Sequence, residues 1–320
     1  MKLIVTGSLG NISAPLTQQL VQQGHAVTVI SRQPEKRSAI EALGARPAIG
    51  TLQDGAFLAA TFAGADAVYC MLPPFNYFDP TLDVMAEASQ LATAYAAAIR
   101  QAGVKRVVHL SSVGAHLAEG NGLLAFHHLA ENILRELPAD VSLTHLRPVS
   151  FYNNLFNFKD MIKGQGLLGR FLALRYSGLS AMLAGKTGVI AANYGADDKL
   201  AWVSPRDIAA AAAEELTTPF AGRNVRYVAS DELTCTDIAG ALGAAVGKPY
   251  LKWPLMSDKQ MKSGLEMFKV PKASAAGMVE MNAGLHSGLV EEDYYRHRPV
   301  LGQVKLADFA QEFAALYHQP

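Results

Sequence analysis

Lys2-Leu-Ile-Val-Thr6-Gly7-Ser-Leu-Gly10-Asn-Ile-Ser13 is the stretch that decides the fold. Lys2 to Thr6 is a short apolar run with the β-branched content of a buried strand. A glycine turn follows at once, and then a helical pattern that runs to about Gln23. Gly24-His25 reverses the chain into a second apolar strand, Ala26-Val-Thr-Val-Ile30, which closes on Ser31-Arg32. Strand, glycine turn, helix and strand make the βαβ unit that sets a pyrophosphate against a helix N-terminus. Gly7 allows a sharp turn at the strand end, and Gly10 lets backbone N–H groups approach phosphate oxygens with no Cβ between. The spacing is G-x-x-G-x-x-S, with Ser13 at the third small position. A G-x-x-G alone fits a tight turn that binds nothing. Between a strand and a helix, with the second strand at the right distance, it reads as a dinucleotide site contacted by Gly7, Leu9, Gly10, Asn11 and Ile12.

The tip of the second strand reports on the cofactor. A free ribose diol is met by Asp or Glu, whereas a 2′-phosphate requires a cation. Here Ser31-Arg32 is followed by Lys36 and Arg37, with no carboxylate at the tip. Arg32 can stack on adenine and pair with the phosphate. NADP(H) is therefore preferred, with NAD(H) second. The competing reading makes these cations the solvated start of the next helix.

Outward from this unit the alternation continues. A helix over Ser38–Leu43 leads to a strand at Arg46–Ile49, and Asp54 is placed to cap the helix after it. Thr51 and Leu52 lie where an adenine would rest. Ala65–Leu72 is a fourth strand closed by Pro73-Pro74, and Phe75-Asn-Tyr77-Phe78 follows at its carboxyl end, where open α/β sheets bind ligands. A helix over Thr81–Ala102 precedes a fifth strand, Lys105–Ser112, with Ser111 and Ser112 at the same carboxyl edge. Leu123–Glu136 is helical, and Val141–Leu146 is a sixth strand ending at Arg147-Pro148. This order predicts a Rossmann-type, doubly wound parallel α/β sheet.

Past Asn154 the alternation stops. Residues 155–187 read as irregular helices over a pocket. Ser204 and Pro205 start another helix, in which Arg206 and Asp207 read as a structural pair. A strand at Asn224–Ala229, a helix at Thr234–Val246 and a closing helix at Leu306–Tyr317 complete the chain. The division expected is 1–154 for the NAD(P)-binding domain, with 188–216 returning to it. Residues 155–187 and 217–320 would form a smaller, partly helical substrate lobe.

Composition narrows the function. The chain has 320 residues, 50% hydrophobic and 18% charged, with a formal net charge of zero. No basic field argues for nucleic acid. Cys70 and Cys235 form neither a disulfide framework nor a metal cluster, so no metal is expected. No secretory leader or membrane-length apolar stretch is read, so the expectation is a cytoplasmic monomer or homodimer that binds a small molecule and no membrane.

Several features converge on one family. The turn Thr6–Ser13, the Ser31-Arg32 tip, Val107-Val-His-Leu-Ser-Ser112, Leu146-Arg-Pro-Val-Ser-Phe-Tyr-Asn-Asn-Leu155 and Trp202-Val-Ser-Pro-Arg-Asp207 resemble the NmrA-like, atypical short-chain dehydrogenase/reductases. The resemblance implies an NAD(P)-binding Rossmann domain, a small C-terminal lobe and a cleft between them. It also implies cofactor contacts from Met71, Leu72, Pro73, Ser111, Pro148, Val149 and Phe151, and pocket roles for Phe151, Tyr152 and Asn154. Phe75 and Tyr77 would line a slot for a planar acceptor, or pack the lobe interface.

Ordinary members of the superfamily carry Tyr-x-x-x-Lys on the helix after the fifth strand. Here Leu123 stands at the tyrosine and His127 at the lysine. A histidine there is similar to the quinone oxidoreductase and triphenylmethane reductase branch, whose acceptors take hydride at a delocalised centre. His127 would hold the nicotinamide ribose, and Ser112 would touch the ring or the substrate. His128 is the weaker candidate. The function expected is an NAD(P)H-dependent reductase of a quinone or similar conjugated acceptor. The alternatives are a non-catalytic NAD(P)-binding redox sensor acting through a protein partner and, less favoured, an isomerase or lyase on the same scaffold.

Overall fold

The computed structural model describes residues 1–319. From the amino end the chain alternates β1 (Lys2–Val5), α1 (Ser13–Gln22), β2 (Ala26–Ser31), α2 (Arg37–Ala42), β3 (Arg46–Ile49), α3 (Gly55–Phe62), β4 (Ala67–Met71), α4 (Val84–Ala102), β5 (Arg106–Leu110), α5 (Ala125–Arg135) and β6 (Ser142–Pro148). Beyond β6 come β7 (Ser150–Phe151), α6 (Lys159–Lys163), α7 (Gly166–Ser177), α8 (Leu179–Leu183), β8 (Lys199–Val203), α9 (Pro205–Thr217), β9 (Arg223–Val228) and β10 (Asp231–Thr234). The chain closes through α10 (Cys235–Ala245), α11 (Asp258–Met267), α12 (Lys272–His286), α13 (Glu292–Arg296) and α14 (Leu306–Tyr317).

Seven strands form one sheet in the order β3-β2-β1-β4-β5-β6-β9, and every pairing in it is parallel. Leu3, Ile4 and Val5 are all buried, as a central strand covered on both faces requires. The connections run one way from β1 and the other way from β4. The crevice between the carboxyl ends of these two strands is the switch point where open sheets bind ligands. The Rossmann-type reading holds.

Local chemistry sets the boundaries. Asp54 accepts from the Phe57 amide at 3.0 Å and caps α3. Helix α4 starts three residues later than its apolar pattern suggests. Asp79 accepts from both the amide and the hydroxyl of Thr81, which holds a turn there, and Asp83 then caps the helix. Gly103, at φ +69°, ends it.

Three expectations need correction. The late strand assigned to the lobe is β9, which pairs with β6 from Leu143↔Arg223 to Pro148↔Val228. It covers an edge of β6 that would otherwise present unpaired N–H and C=O groups. Within 188–216 only α9 returns, packing against α1 and the sheet, while β8 joins β7 and β10 in a separate three-stranded sheet. Arg206 and Asp207 do not pair with each other. Arg206 meets Glu312, whereas Asp207 accepts from the Ser230 hydroxyl at 2.6 Å and from the Gln303 and Val304 amides, each at 3.1 Å.

The lobe docks through close backbone contact. Gly122, at φ +53°, opens the short turn before α5, and a Cβ there would overlap the Gly277 carbonyl and Met281 amide of α12. Gly122→Ala should destabilise the protein by about 2–4 kcal/mol, through left-handed strain and separation of α12 from the turn. Urea unfolding measures this, and an unchanged midpoint would contradict the packing.

Candidate functional site

At the switch point the chain crosses itself too closely for a side chain. Gly7 has φ +89°, and a Cβ there would overlap the Met71 sulfur and the Ser13 hydroxyl. Thr6 Oγ1 accepts from the Met71 amide at 2.9 Å, and Ser13 Oγ donates to the Thr6 carbonyl at 2.8 Å. These bonds lock the ends of β1 and β4 to the start of α1. Ser8 adopts φ +55° and donates to Ser31 Oγ at 2.9 Å. The helix then begins after Ile12 with no side-chain cap, and Gly10 and Asn11 lie exposed beside it. An uncapped N-terminus offers free N–H donors and the positive end of the helix dipole. These residues fit a pyrophosphate. Leu9 is half-buried and Ile12 buried, both packed into the core beneath the turn.

Arg32, Lys36 and Arg37 are exposed at the outer edge, with Thr51 exposed and Leu52 half-buried at the end of β3 beside β2. Ser31 differs from its expected role. It is buried, and its hydroxyl accepts from Ser8 and from the Gln33 amide at 3.1 Å, so it shapes the tip instead of offering a free contact.

At the end of β4, Leu72 is buried while Met71 and Pro73 are half-buried. Tyr95 donates its hydroxyl to the Met71 carbonyl at 2.8 Å and steadies that end. Phe75 stands edge-on to Phe126 with ring centres 5.1 Å apart, and Tyr77 lies 6.4 Å from Phe75. Phe126 in turn leans on the His127 ring at 4.1 Å. The four rings form a continuous aromatic wall from the loop after β4 to the first turn of α5. Phe126 was not singled out from the sequence, although its place beside His127 on an amphipathic helix was the available signal.

His127 is half-buried, and its Nδ1 is sealed from solvent without a partner. Burial, with His109 nearby, pushes its pKa down to about 3, so the ring is neutral at physiological pH. His128 is committed elsewhere: its Nδ1 meets the Ala115 carbonyl at 2.9 Å and its Nε2 meets Asn132 at 2.9 Å. Leu123 packs on Gly277 of α12, so no hydroxyl stands at that position.

Beyond β6, Pro148 and Val149 are buried, Phe151 is half-buried and Asn154 is exposed. Tyr152 does not face a pocket. It has no exposed surface, stacks between Trp202 and Phe309, and donates to Asp231 at 2.6 Å. Its aromatic bulk is spent on the core that joins β7 to α14.

Under α5 the sheet changes character along its length. Alternate residues of β5 and β6 share that face, reading Val107-His109-Ser111 and Leu143-His145-Arg147. The amino end is apolar. Next comes His109 beside His145, with Nδ1 atoms 3.0 Å apart, so that one ring donates and the other accepts. At the carboxyl end lies Glu131 of α5, fully buried and held as a carboxylate by Arg147. The two bonds measure 2.8 Å from Nε and 2.7 Å from Nη2. Arg135 and the Ser111 hydroxyl also donate to it, both at 2.6 Å. Burial opposes the charge, but Arg147 and His145 outweigh it and hold the Glu131 pKa at about 2. Ser111, expected to contact cofactor, has therefore committed its proton inward, while Ser112 is half-buried beside it. This polar layer was invisible in the sequence, because it depends on the register of β5 with β6. Among the described residues no group of three or more His, Cys, Asp or Glu side chains could hold a metal ion, and no helix is long and apolar enough to cross a membrane.

The NAD(P)H-binding family matches residues 7–166, the stretch that carries the glycine turn and strands β2 to β6 of the main sheet. The chain belongs to that family. It is 26% identical over 284 residues to the NAD(P)H azoreductase of Xenophilus azovorans, which covers 88% of this chain and 86% of the relative. Among solved structures, the triphenylmethane reductase of Citrobacter sp. superimposes with TM-score 0.72 at 21% identity, over 98% of this chain and 100% of that one. The NADPH-dependent quinone oxidoreductase QOR2 of Escherichia coli, solved with NADPH, gives TM-score 0.72 at 20% identity, over 99% and 100%. The family match and the shared fold agree with the expected NAD(P)-binding Rossmann architecture.

The buried titratable layer sets an acid limit on the fold. Burial lowers His109 to about 4 and His145 to about 3, below the ordinary 6.5. Their stabilisation is complete above pH 6.5 and is lost as pH falls through 4, because the unfolded chain takes up protons first. Glu131 adds a second loss from about 4.5 toward 2. Stability should fall by several kcal/mol, on the order of 5, between pH 6.5 and 4, as read by urea midpoints. Replacing His109 and His145 with leucine should shrink that limb to the share of His127, which burial also lowers to about 3, and leave the lower one.

Proposed function

We propose that the protein is an NAD(P)H-dependent reductase, preferring NADPH, that passes hydride to a quinone, an azo compound or a similar small conjugated acceptor. The composition of the nicotinamide end carries this reading. An aromatic wall of Phe75, Tyr77 and Phe126 stands beside a neutral His127, and leucine replaces the hydroxyl that would stabilise an alkoxide. Such a wall suits a flat acceptor whose charge spreads over its own π-system. The azoreductase, quinone oxidoreductase and triphenylmethane reductase named above support the same substrate class.

Bound NADPH would supply the hydride from C4 of its nicotinamide. Everything else falls to the chain. The amides of Leu9, Asn11 and Ile12 would bind the pyrophosphate, since those of Ser8 and Gly10 already donate to the Ile30 and Gly7 carbonyls, and Arg32 would answer a 2′-phosphate with a planar cation. His127 offers an N–H to the nicotinamide ribose and carries no titratable charge near neutral pH. The aromatic wall excludes water and aligns the acceptor with the ring, so the gain in rate comes from positioning. One hydride and one proton convert a quinone to the hydroquinone, and the proton is taken up from solvent as the product leaves.

NADPH oxidation followed by absorbance against a panel of quinones and azo dyes tests this reading. Turnover should be slowed about tenfold or more by His127→Ala, with no ionisation near pH 6.5 in kcat. Tight NADPH binding without turnover on any acceptor would instead mark a redox sensor. Arg32→Ala should cut the preference for NADPH over NADH about tenfold, the worth of one lost charge-assisted contact. An unchanged ratio would remove the NADP assignment.

A further inference from the structure

His127 has no bond of its own to hold it. Among the described residues its Nδ1 is buried without a hydrogen-bond partner, and the Phe126 ring leans on it. Its position is therefore inherited from the seat of α5 on the sheet. One helical turn on, Glu131 provides that seat through Arg147. Arg147 does not end there. Its Nη1 donates to Asp293 of α13 at 3.1 Å and to the Tyr227 hydroxyl of β9 at 3.1 Å, and Tyr227 donates to Asp293 at 2.6 Å. Register explains the geometry, because Arg147 and Tyr227 are direct partners across β6 and β9.

We infer that Asp293 and Tyr227 are positioning residues for the nicotinamide end, acting through Arg147 and Glu131 on His127. The guanidinium has a fixed fork, and its bidentate grip on Glu131 uses Nε and Nη2. Nη1 is left over, and in a site where Arg147 is almost wholly buried it must be answered. Asp293 and Tyr227 answer it from the far side and so fix the rotation of the fork. Charges also balance: Glu131 and Asp293 face Arg147 and Arg135. With Asp293 neutralised, the fork is free to turn toward whichever acceptor remains. Glu131, the α5 register and the unanchored ring of His127 move with it. A helix of the C-terminal segment thereby sets the geometry of a residue more than a hundred and fifty positions earlier in the chain.

The test uses Asp293→Asn, the conservative Asp293→Glu, and Tyr227→Phe, which keeps the packing and deletes only the hydroxyl. Circular dichroism confirms folding of each variant. NADPH is the probe, and the enhanced, blue-shifted fluorescence of bound reduced nicotinamide reports how that ring is held. The expected result is an NADPH Kd within about threefold of the parent, because the phosphate and adenine ends are untouched. The nicotinamide emission change should be largely lost in Asp293→Asn and Tyr227→Phe and restored by Asp293→Glu. This inference rests on the reductase reading for its second readout alone, a kcat lowered about tenfold at unchanged KM for NADPH. If no acceptor is turned over, that reading fails while the fluorescence still decides this one. Parental emission in both variants, even with lowered thermal stability, would show a strut without positioning and overturn the inference. So would a loss of binding that Asp293→Glu does not rescue.

Discussion

A carboxylate with no exposed surface must be answered on every side, and Glu131 is. Two bonds from Arg147, one from Arg135 and one from Ser111 satisfy it. A buried ion pair earns little net stability over a well-packed apolar core, but removing one partner costs about 3–5 kcal/mol. Geometry follows from that asymmetry. Helix α5 brings Glu131 and Arg135, β6 brings Arg147, β9 brings Tyr227, α13 brings Asp293 and Ser111 joins from just past β5, so these elements cannot shift without breaking the network. The layer holds the carboxyl end of the sheet in one arrangement where apolar packing alone would tolerate several.

The two ends of the site use different physics. At the phosphate end the work is done by backbone: a glycine that fits against Met71 and Ser13, and a helix left uncapped. At the nicotinamide end the work is done by side chains, an aromatic wall and a histidine kept neutral by burial. Between them the Met71–Pro73 segment belongs to both, tied to Thr6 on one side and to Tyr95 on the other.

Elements with local causes were legible from residues alone. β3 and α14 coincide with their expected bounds, and Asp54, Ser204 and Gly103 cap or end helices as their chemistry predicts. Errors arose wherever a partner lay far along the chain. The strand at 223–228 was recognised, but its place in the main sheet depends on the free edge of β6. Tyr152 looked like a pocket residue from its place after β6, and became core because Trp202 and Phe309 close on it. Asp207 found its partners in Ser230 and in residues 303 and 304, which no local rule connects to it.

The sequence by itself determined the βαβ unit, the parallel sheet and the glycine turn between β1 and α1. Each of these follows from periodicity, glycine conformational freedom or residue identity at short range. Tertiary structure decided which polar groups met beneath α5, because strand register and helix seating bring together residues separated by 16 to 146 positions. His109 meets His145, and Glu131 meets Arg147 and, through it, Asp293, only after the sheet has formed. Burial then strips these groups of water and fixes their charge, a property of the folded environment that residue type alone does not carry.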